Sequence, residues 1–500
     1  MRSSISRCVP AFLLAGFLLL ETSALAQWPP AAPQQPYPGM PSPPVGQPRG
    51  PGPILLPTPG APQGPSAPPR EAPTQSALSE SPTRIESEKF IVEHNPAEWA
   101  KDSVRISPDG QRFAVVIQAQ GKKTAYASID GRNQKPYAWA RDLTFSGDSR
   151  HVAYVATIDG QDLPVVDARE GAFRGEIWGG TRGGGGTLRL NHDGTRHAFV
   201  ARKGNAPVFG VVTDGAMDRP NVDPNDGAPV FSPDGKRLAY IAQEGGQRFV
   251  VLDGKPGARY EAVYKGTLTF SPDSKRLAYF AGKGGMRTVV LDGAEGTPHR
   301  DAMVSTLRFS PDGTKLACAV QLESGKWAIV VNGKAEAAFD YIGSFTGVNW
   351  SPDSRRLAYA GLVDKQWGAV VDDAGFPYDA IAAMVFSPDS RRAAFLAQTD
   401  GKWVLVVNAP DGTYSSRLKS DSVLNDTLAF TPDGKYLLYG AMTNGRPHMV
   451  VNGRPAQSFY EAIWNIDGGR IAIDTPTSFS YIALKDGKIY LVREAVVAGR

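Results

Sequence analysis

Cysteine is almost absent: two residues in 500, Cys8 and Cys318. Disulfide staples therefore cannot be what holds this chain together. Histidine is scarce too, six residues scattered at positions 94, 151, 192, 197, 299 and 448. Long hydrophobic runs are missing after residue 20, and nothing there approaches the roughly 20 apolar residues of a membrane helix. Charge is nearly balanced, with 54 Lys and Arg against 50 Asp and Glu, and no Lys/Arg block gathers the net +4. Phosphate recognition needs clustered positive charge, so no nucleic-acid partner is expected. Signatures of chemistry are missing as well: no G-x-S-x-G elbow, no P-loop, no H-E-x-x-H and no C-x-x-C. No catalytic, cofactor-binding or metal-ligating residue is assigned on this reading. No cofactor is expected, and the balance leans away from an enzyme.

What is present begins with an export signal over residues 1–26. Arg2 and Arg7 supply a positive start, residues 9–20 an apolar core, and Ala24-Leu25-Ala26 a small-x-small cleavage site before Gln27. The core is too short to span a bilayer comfortably. A periplasmic or secreted location by a Sec-type signal is expected, with no membrane span after cleavage. Cleavage would remove Cys8 and leave Cys318 unpaired; in K-L-A-C-A-V it reads as a small buried filler rather than a nucleophile.

Residues 27–85 read as a disordered proline-rich linker. Eighteen of the 41 prolines fall in 27–75, where fixed φ and lost donors block helix and sheet. Extended at about 3.1 Å per residue, that stretch would reach on the order of 150 Å. A spacer is the expected role, ahead of a docking segment for a partner that reads proline-rich peptides. Residues 76–90 read as a polar transition into the folded region, and 86–500 as the folded repeat domain.

That domain is written in repeats. FSPDGKRLAY at 231–240 returns as FSPDSKRLAY at 270–279 and WSPDSRRLAY at 350–359. Aligned on the aspartate, the copies fall at Asp109, Asp148, Asp193, Asp234, Asp273, Asp312, Asp353, Asp389, Asp433 and, more weakly, Asp467, spaced 34 to 45 residues apart. Each copy has one internal order. An alternating strand runs into Ser-Pro-Asp-Gly or Ser-Pro-Asp-Ser, where proline presets φ and the aspartate bonds its own backbone. Gly235, Gly313 and Gly434 can take the left-handed position. An L-A-Y strand, a Gly-rich turn and a V-V strand follow. A two-residue hairpin signal closes the unit at Asp130-Gly131, Asp253-Gly254, Asp292-Gly293, Asn332-Gly333 and Asn452-Gly453. The aromatic segments at Tyr260, Phe339, Tyr378 and Tyr460 read as the fourth strand or its approach.

Four short antiparallel strands per roughly forty residues is a β-propeller blade, and about ten such units predict an all-β propeller. Stacked blades bury both sheet faces. Even spacing favours one large ring over two, although Asp148, Asp193 and Asp467 head weak copies and the stretch between the second and fourth is irregular. The phrase [FW]-S-P-D-[GS]-[KR]-[RK]-L-A-Y followed by V-V-x-[DN]-G resembles the WD-repeat-like propeller units of bacterial periplasmic proteins, the TolB type, over roughly 100–470. The departures are a proline-rich linker where that type has a small α/β domain, and a higher repeat count. The resemblance implies an interaction protein of the cell envelope.

Several features carry two readings. Trp327, Trp367 and Trp403 share one slot and read as blade-to-blade packing ahead of ligand stacking. His192 and His197 flank a D-G turn and read as turn residues ahead of metal ligands. Asp214, Asp218, Asp223 and Asp226 make an acidic loop, read as solvated ahead of calcium-binding. The pairs Lys236-Arg237, Arg355-Arg356 and Arg391-Arg392 fall at equivalent positions and predict a mostly solvated basic rim. The expectation is a non-catalytic scaffold meeting an envelope or extracellular protein, with oligomeric state open. The alternative is an enzyme or a small-ligand or carbohydrate binder with its site at the channel mouth.

Overall fold

The computed structural model describes residues 70–71 and 82–497, apart from 96, 101–102, 119–120, 122, 180–185, 205, 219–220, 344–346, 373, 425–426 and 465–470. All of these belong to the unit Pro53–Arg500. The expected export signal, most of the proline-rich stretch and Asp467 lie outside the described residues.

The described residues form ten sheets, antiparallel but for one short strand at the edge of blade 8, and the one helical element among them is the 3-10 turn Pro224–Asp226. Blade 4 is representative: Val230–Phe231, Leu238–Glu244, Gln247–Leu252 and Lys255–Tyr260 pair in sequence order. Blades 1 to 9 span 105–133, 139–170, 176–217, 230–260, 262–295, 302–339, 341–378, 380–415 and 422–459, and blade 10 begins at 462. First strands of successive blades approach one another, which places them at the inner edge of the ring. Fourth strands are open to solvent, as Lys255–Gly257 and Lys334–Glu336 show.

Closure is decided by the cores. Ten apolar clusters each join two blades, and the tenth joins Ile482, Leu484 and Ile489 of blade 10 to Phe113, Val115 and Ile117 of blade 1. The chain is one ring of ten blades, and the weak copies at Asp148 and Asp193 head blades 2 and 3 inside it. Cys318 is 4% exposed in the seam between blades 5 and 6, and burial pushes its thiol up to about 12, so it is apolar filling.

Blade 10 takes its fourth strand from the other end of the folded region. Thr83–Glu93 pairs antiparallel with Lys488–Val496 along its length. The boundary placed at 86 therefore falls inside a strand, and what reads as a polar transition is the piece that shuts the ring. Upstream, Arg70–Glu71 adds in parallel to the outer strand Gly412–Ser415 of blade 8.

The turn chemistry is as the repeats predict. Asp253 and Gly254 have φ of 52° and 77°, the two left-handed positions of a tight hairpin, and the other Asp-Gly and Asn-Gly pairs match. The aromatic segments need a refinement. Tyr260, Phe339 and Tyr378 end fourth strands, and the residues after them begin the next blade's first strand. That first strand is split in blades 3, 5, 7, 9 and 10. At the break in blade 5, Thr267 replaces the ladder: its hydroxyl donates to the Tyr264 carbonyl at 2.6 Å and accepts the Phe280 N–H at 3.1 Å. Thr187 and Thr427 do the same at the breaks in blades 3 and 9, and Ser103 and Thr306 hold equivalent corners in blades 1 and 6.

Candidate interaction faces and the seams between blades

One face of the ring carries the Ser-Pro-Asp turns and the Asp-Gly hairpins. In blade 4 the Ser232 hydroxyl donates to Asp234 Oδ1 at 2.5 Å and accepts the Arg237 N–H at 3.0 Å. That bond and the Lys236 N–H hold the Asp234 carboxyl below the usual range. The turn aspartates are thus fixed as structural acceptors.

The basic pairs divide their work. The first member, Lys236, Arg355 or Arg391, is exposed. The second turns into the seam, so the rim is only half as solvated as the sequence suggests. Arg356 is the fullest case. Its Nε donates to Asp372 at 2.9 Å, and one Nη donates to the Ser390 and Arg391 carbonyls of blade 8, both at 2.9 Å. Its guanidinium also lies 5.2 Å from the centre of the Phe386 ring. Arg112, Arg196 and Arg237 repeat this pattern onto blades 2, 4 and 5. Lys315 reaches the Ser354 carbonyl at 2.9 Å and lies over Trp350, and Arg392 reaches the Gly434 carbonyl over Phe430. A planar fork over an aromatic face suits a seam that offers carbonyls and a carboxylate together.

Ser-Pro-Asp-Ser turns add a second link. Ser390 has φ of 61°, a left-handed position that glycine fills in the Asp-Gly copies. Its hydroxyl accepts the Asp353 N–H of the preceding blade at 3.0 Å. Ser274 and Ser354 do the same for Asp234 and Asp312, and Ser149, in the Ser-Gly-Asp-Ser turn of blade 2, for Asp109.

The seam between blades 2 and 3 departs from this plan. His151 stands at the position held by Arg112, Arg196, Arg237, Arg276, Lys315, Arg356 and Arg392 in other blades and by Tyr436 in blade 9, with Nδ1 at 2.5 Å from Asp167 of its own blade. Beside it is a cleft of about 520 Å³ lined by Asp167, Glu170, Gly194, Thr195 and His197 among others. Burial lowers the His197 pKa against the pull of Asp214. Of the two histidines singled out in sequence, His197 faces this cleft, while His192 lies against Gly147.

The opposite face carries the Gly-rich turns and the tryptophans. Trp327 and Trp403 pack on the cores of the seams after blades 6 and 8, as the packing reading expects. Tyr341 stands between Trp327 and Trp367, ring centres 6.0 and 6.3 Å away. All three remain half-buried. Trp139, 55% exposed, lies at the start of the first strand of blade 2.

The four loop aspartates are divided among three partners. Asp214 pairs with Arg196, Asp218 accepts the Tyr240 hydroxyl, and Asp223 and Asp226 hold Arg248. At the ring's inner edge, three first strands carry an arginine two residues before the turn's Ser or Asn. Arg308 is exposed between buried Leu307 and Phe309, and Arg105 and Arg189 are half-buried beside Ile106 and Leu188. Burial lowers the Arg189 pKa, with Asp142 opposing and Arg105 adding, so blades 1, 2 and 3 bring these charges within reach of one another. Blades 8, 9 and 10 place Val385, Ala429 and Ala472 at the corresponding position. No sequence pattern marked these arginines, because they lie more than 80 residues apart. No helix among the described residues is long and apolar enough to cross a membrane.

No family model matches the chain, and no curated protein matches it in sequence. Among solved structures, a eukaryotic initiation factor is similar with a TM-score of 0.41 and 13% identity, over 79% of this chain and 92% of that one. The Dos1 propeller is similar with a TM-score of 0.34 and 12% identity, over 81% and 94%. TolB from Acinetobacter baumannii is similar with a TM-score of 0.24 and 17% identity, over 55% and 79%. At these values the propeller assignment rests on the chain's own sheets and seams.

Proposed function

We propose that this chain is a non-catalytic interaction scaffold of the cell envelope or the extracellular space, exported by residues 1–26 and spaced by the proline-rich stretch that precedes the closing strand Thr83–Glu93. The observation that carries the reading is where the repeated polar residues go. Serine, aspartate and arginine of the recurring phrase are spent on joining one blade to the next, which makes a rigid platform with two broad faces. Half-buried Trp327, Tyr341 and Trp367 and exposed Trp139 give the face of the Gly-rich turns the amphipathic rings that protein partners bury. The partner is an envelope or extracellular protein.

Affinity capture from envelope extract tests this, with bait from Gln27 beside bait from residue 82, at low and high salt. A specific partner kept by both supports the scaffold and puts the contact on the ring. Loss with the shorter bait moves recognition to the proline-rich stretch, and no specific partner with either bait overturns the reading. A second reading, an acidic small ligand at the ring's inner edge, is favoured by Arg105, Arg189 and Arg308.

A further inference from the structure

At six seams the chain fills one recurring site with its own cation: Arg112, Arg196, Arg237, Lys315, Arg356 or Arg392. The full site has three walls. A hairpin aspartate takes Nε, two successive carbonyls of the next blade's turn take one Nη, and an aromatic ring of the next first strand lies beneath.

Between blades 2 and 3 the polar walls persist and the cation is missing. Asp167 is the hairpin aspartate, and its Oδ1 accepts the Val152 N–H at 3.0 Å as Asp253 Oδ1 accepts Leu238 at 2.9 Å. Gly194 and Thr195 hold the positions of the two carbonyl residues, equivalent to Ser390 and Arg391, and both line the cleft. Among the described hydrogen bonds, no donor reaches either carbonyl. Leu190 replaces the aromatic ring. His151 is too short to finish the bridge: its ring rests against Gly194 and its Nδ1 stops at Asp167. The remaining volume is the cleft, and Asp167 and His151 both keep over a third of their side-chain surface open.

We propose that this cleft is a socket for an arginine side chain of a partner polypeptide, whose guanidinium takes the place of the missing cation between Asp167 and the carbonyls of Gly194 and Thr195. Asp167, Glu170 and the two carbonyls are the acceptors, on a cleft that Arg169, His151 and His197 also line, and acceptors spread around one plane suit a guanidinium fork better than an ammonium. Glu170 closes the outer side, itself held by Lys135 at 2.7 Å. The socket builds on the scaffold reading by naming one contact point and its chemistry.

The test needs no partner in hand. The blocked peptide Ac-Gly-Arg-Gly-NH2 is titrated into the full chain while the ring protons of His151 and His197 are followed by NMR, with the citrulline peptide as a neutral isostere. A saturable shift with the arginine peptide is expected, and binding at least tenfold weaker with citrulline. His151→Arg should abolish the response while folding normally, since it restores the phrase of the other blades, and Asp167→Asn should weaken binding at least tenfold. Absence of a saturable shift overturns the socket, as does equal binding by citrulline or by the His151→Arg protein. Envelope capture is a separate readout: a socket that binds the peptide when no partner is captured sinks the scaffold reading alone, and the reverse sinks the socket alone.

Discussion

The seam between blades 7 and 8 and the seam between blades 2 and 3 are built from the same parts and end differently. At the first, Arg356 joins a carboxylate, two carbonyls and an aromatic ring, and Ser390 receives a further bond from Asp353. At the second, His151 stays within its own blade and a cleft stands open beside it. The apolar core continues through both. A propeller seam therefore has two separable layers. Apolar burial holds the blades together, and the polar rim decides whether the gap above that core is closed or available.

Exchanging the two residues should break the comparison most directly. Arg356→His is expected to cost about 2 kcal/mol, because charged hydrogen bonds are lost and two carbonyls are left without donors. Chemical denaturation of the full chain measures it, and an unchanged midpoint would show that the rim contributes nothing. Blade 10 gives a contrast in sign. Glu494 is fully buried against the Tyr481 hydroxyl, and burial raises its pKa above 4.5. Its contribution is present below pH 4.5 and is lost as pH rises through the folded-state value. Glu494→Gln should therefore raise the melting temperature at pH 8 and leave it little changed at pH 4; equal effects at both would remove the argument. The turn aspartates run the other way. Asp312, held at about 2 chiefly by the Ser310 hydroxyl, loses its contribution as pH falls below 3.8. His151→Arg comes next and should stabilise by about 1 kcal/mol, since a new rim bridge adds charged hydrogen bonds at a part-open site. The smallest effect is expected from Ser390→Gly, within about 0.5 kcal/mol, because relief of a left-handed serine offsets the lost bond to Asp353. A thermal melt separates these two, the first upward and the second near zero.

Much of the ring was legible because each blade repeats the same local grammar. Ser-Pro-Asp, L-A-Y and Asp-Gly specify strand, turn and hairpin from near neighbours alone, and even spacing favoured a single ring. The closing strand was not legible. T-R-I-E-S-E-K-F-I-V-E at 83–93 carries no repeat phrase, and its apolar residues do not alternate cleanly because two bulges interrupt its pairing with 488–496. The inward role of Arg237 and Arg356 was hidden as well, since their carbonyl partners lie 34 to 38 residues away on the next blade. His151 sat in plain view in F-S-G-D-S-R-H, but its meaning needs the bridge it fails to make.

The pairing of 83–93 with 488–496 also imposes an order of events. The strand made early has no partner in its own blade until the last strand has been made. Every earlier blade can stack on its neighbour as it emerges, but the circle stays open for the whole of synthesis. Loop-closure entropy for this contact is drawn over some 400 residues, so pairing is favourable only once nine blades have brought the ends together. Ring closure thus acts as a test of completeness: a prematurely terminated chain keeps the faces of its two end blades uncovered and the strand 83–93 unpaired, which is the surface that quality-control proteases and chaperones recognise.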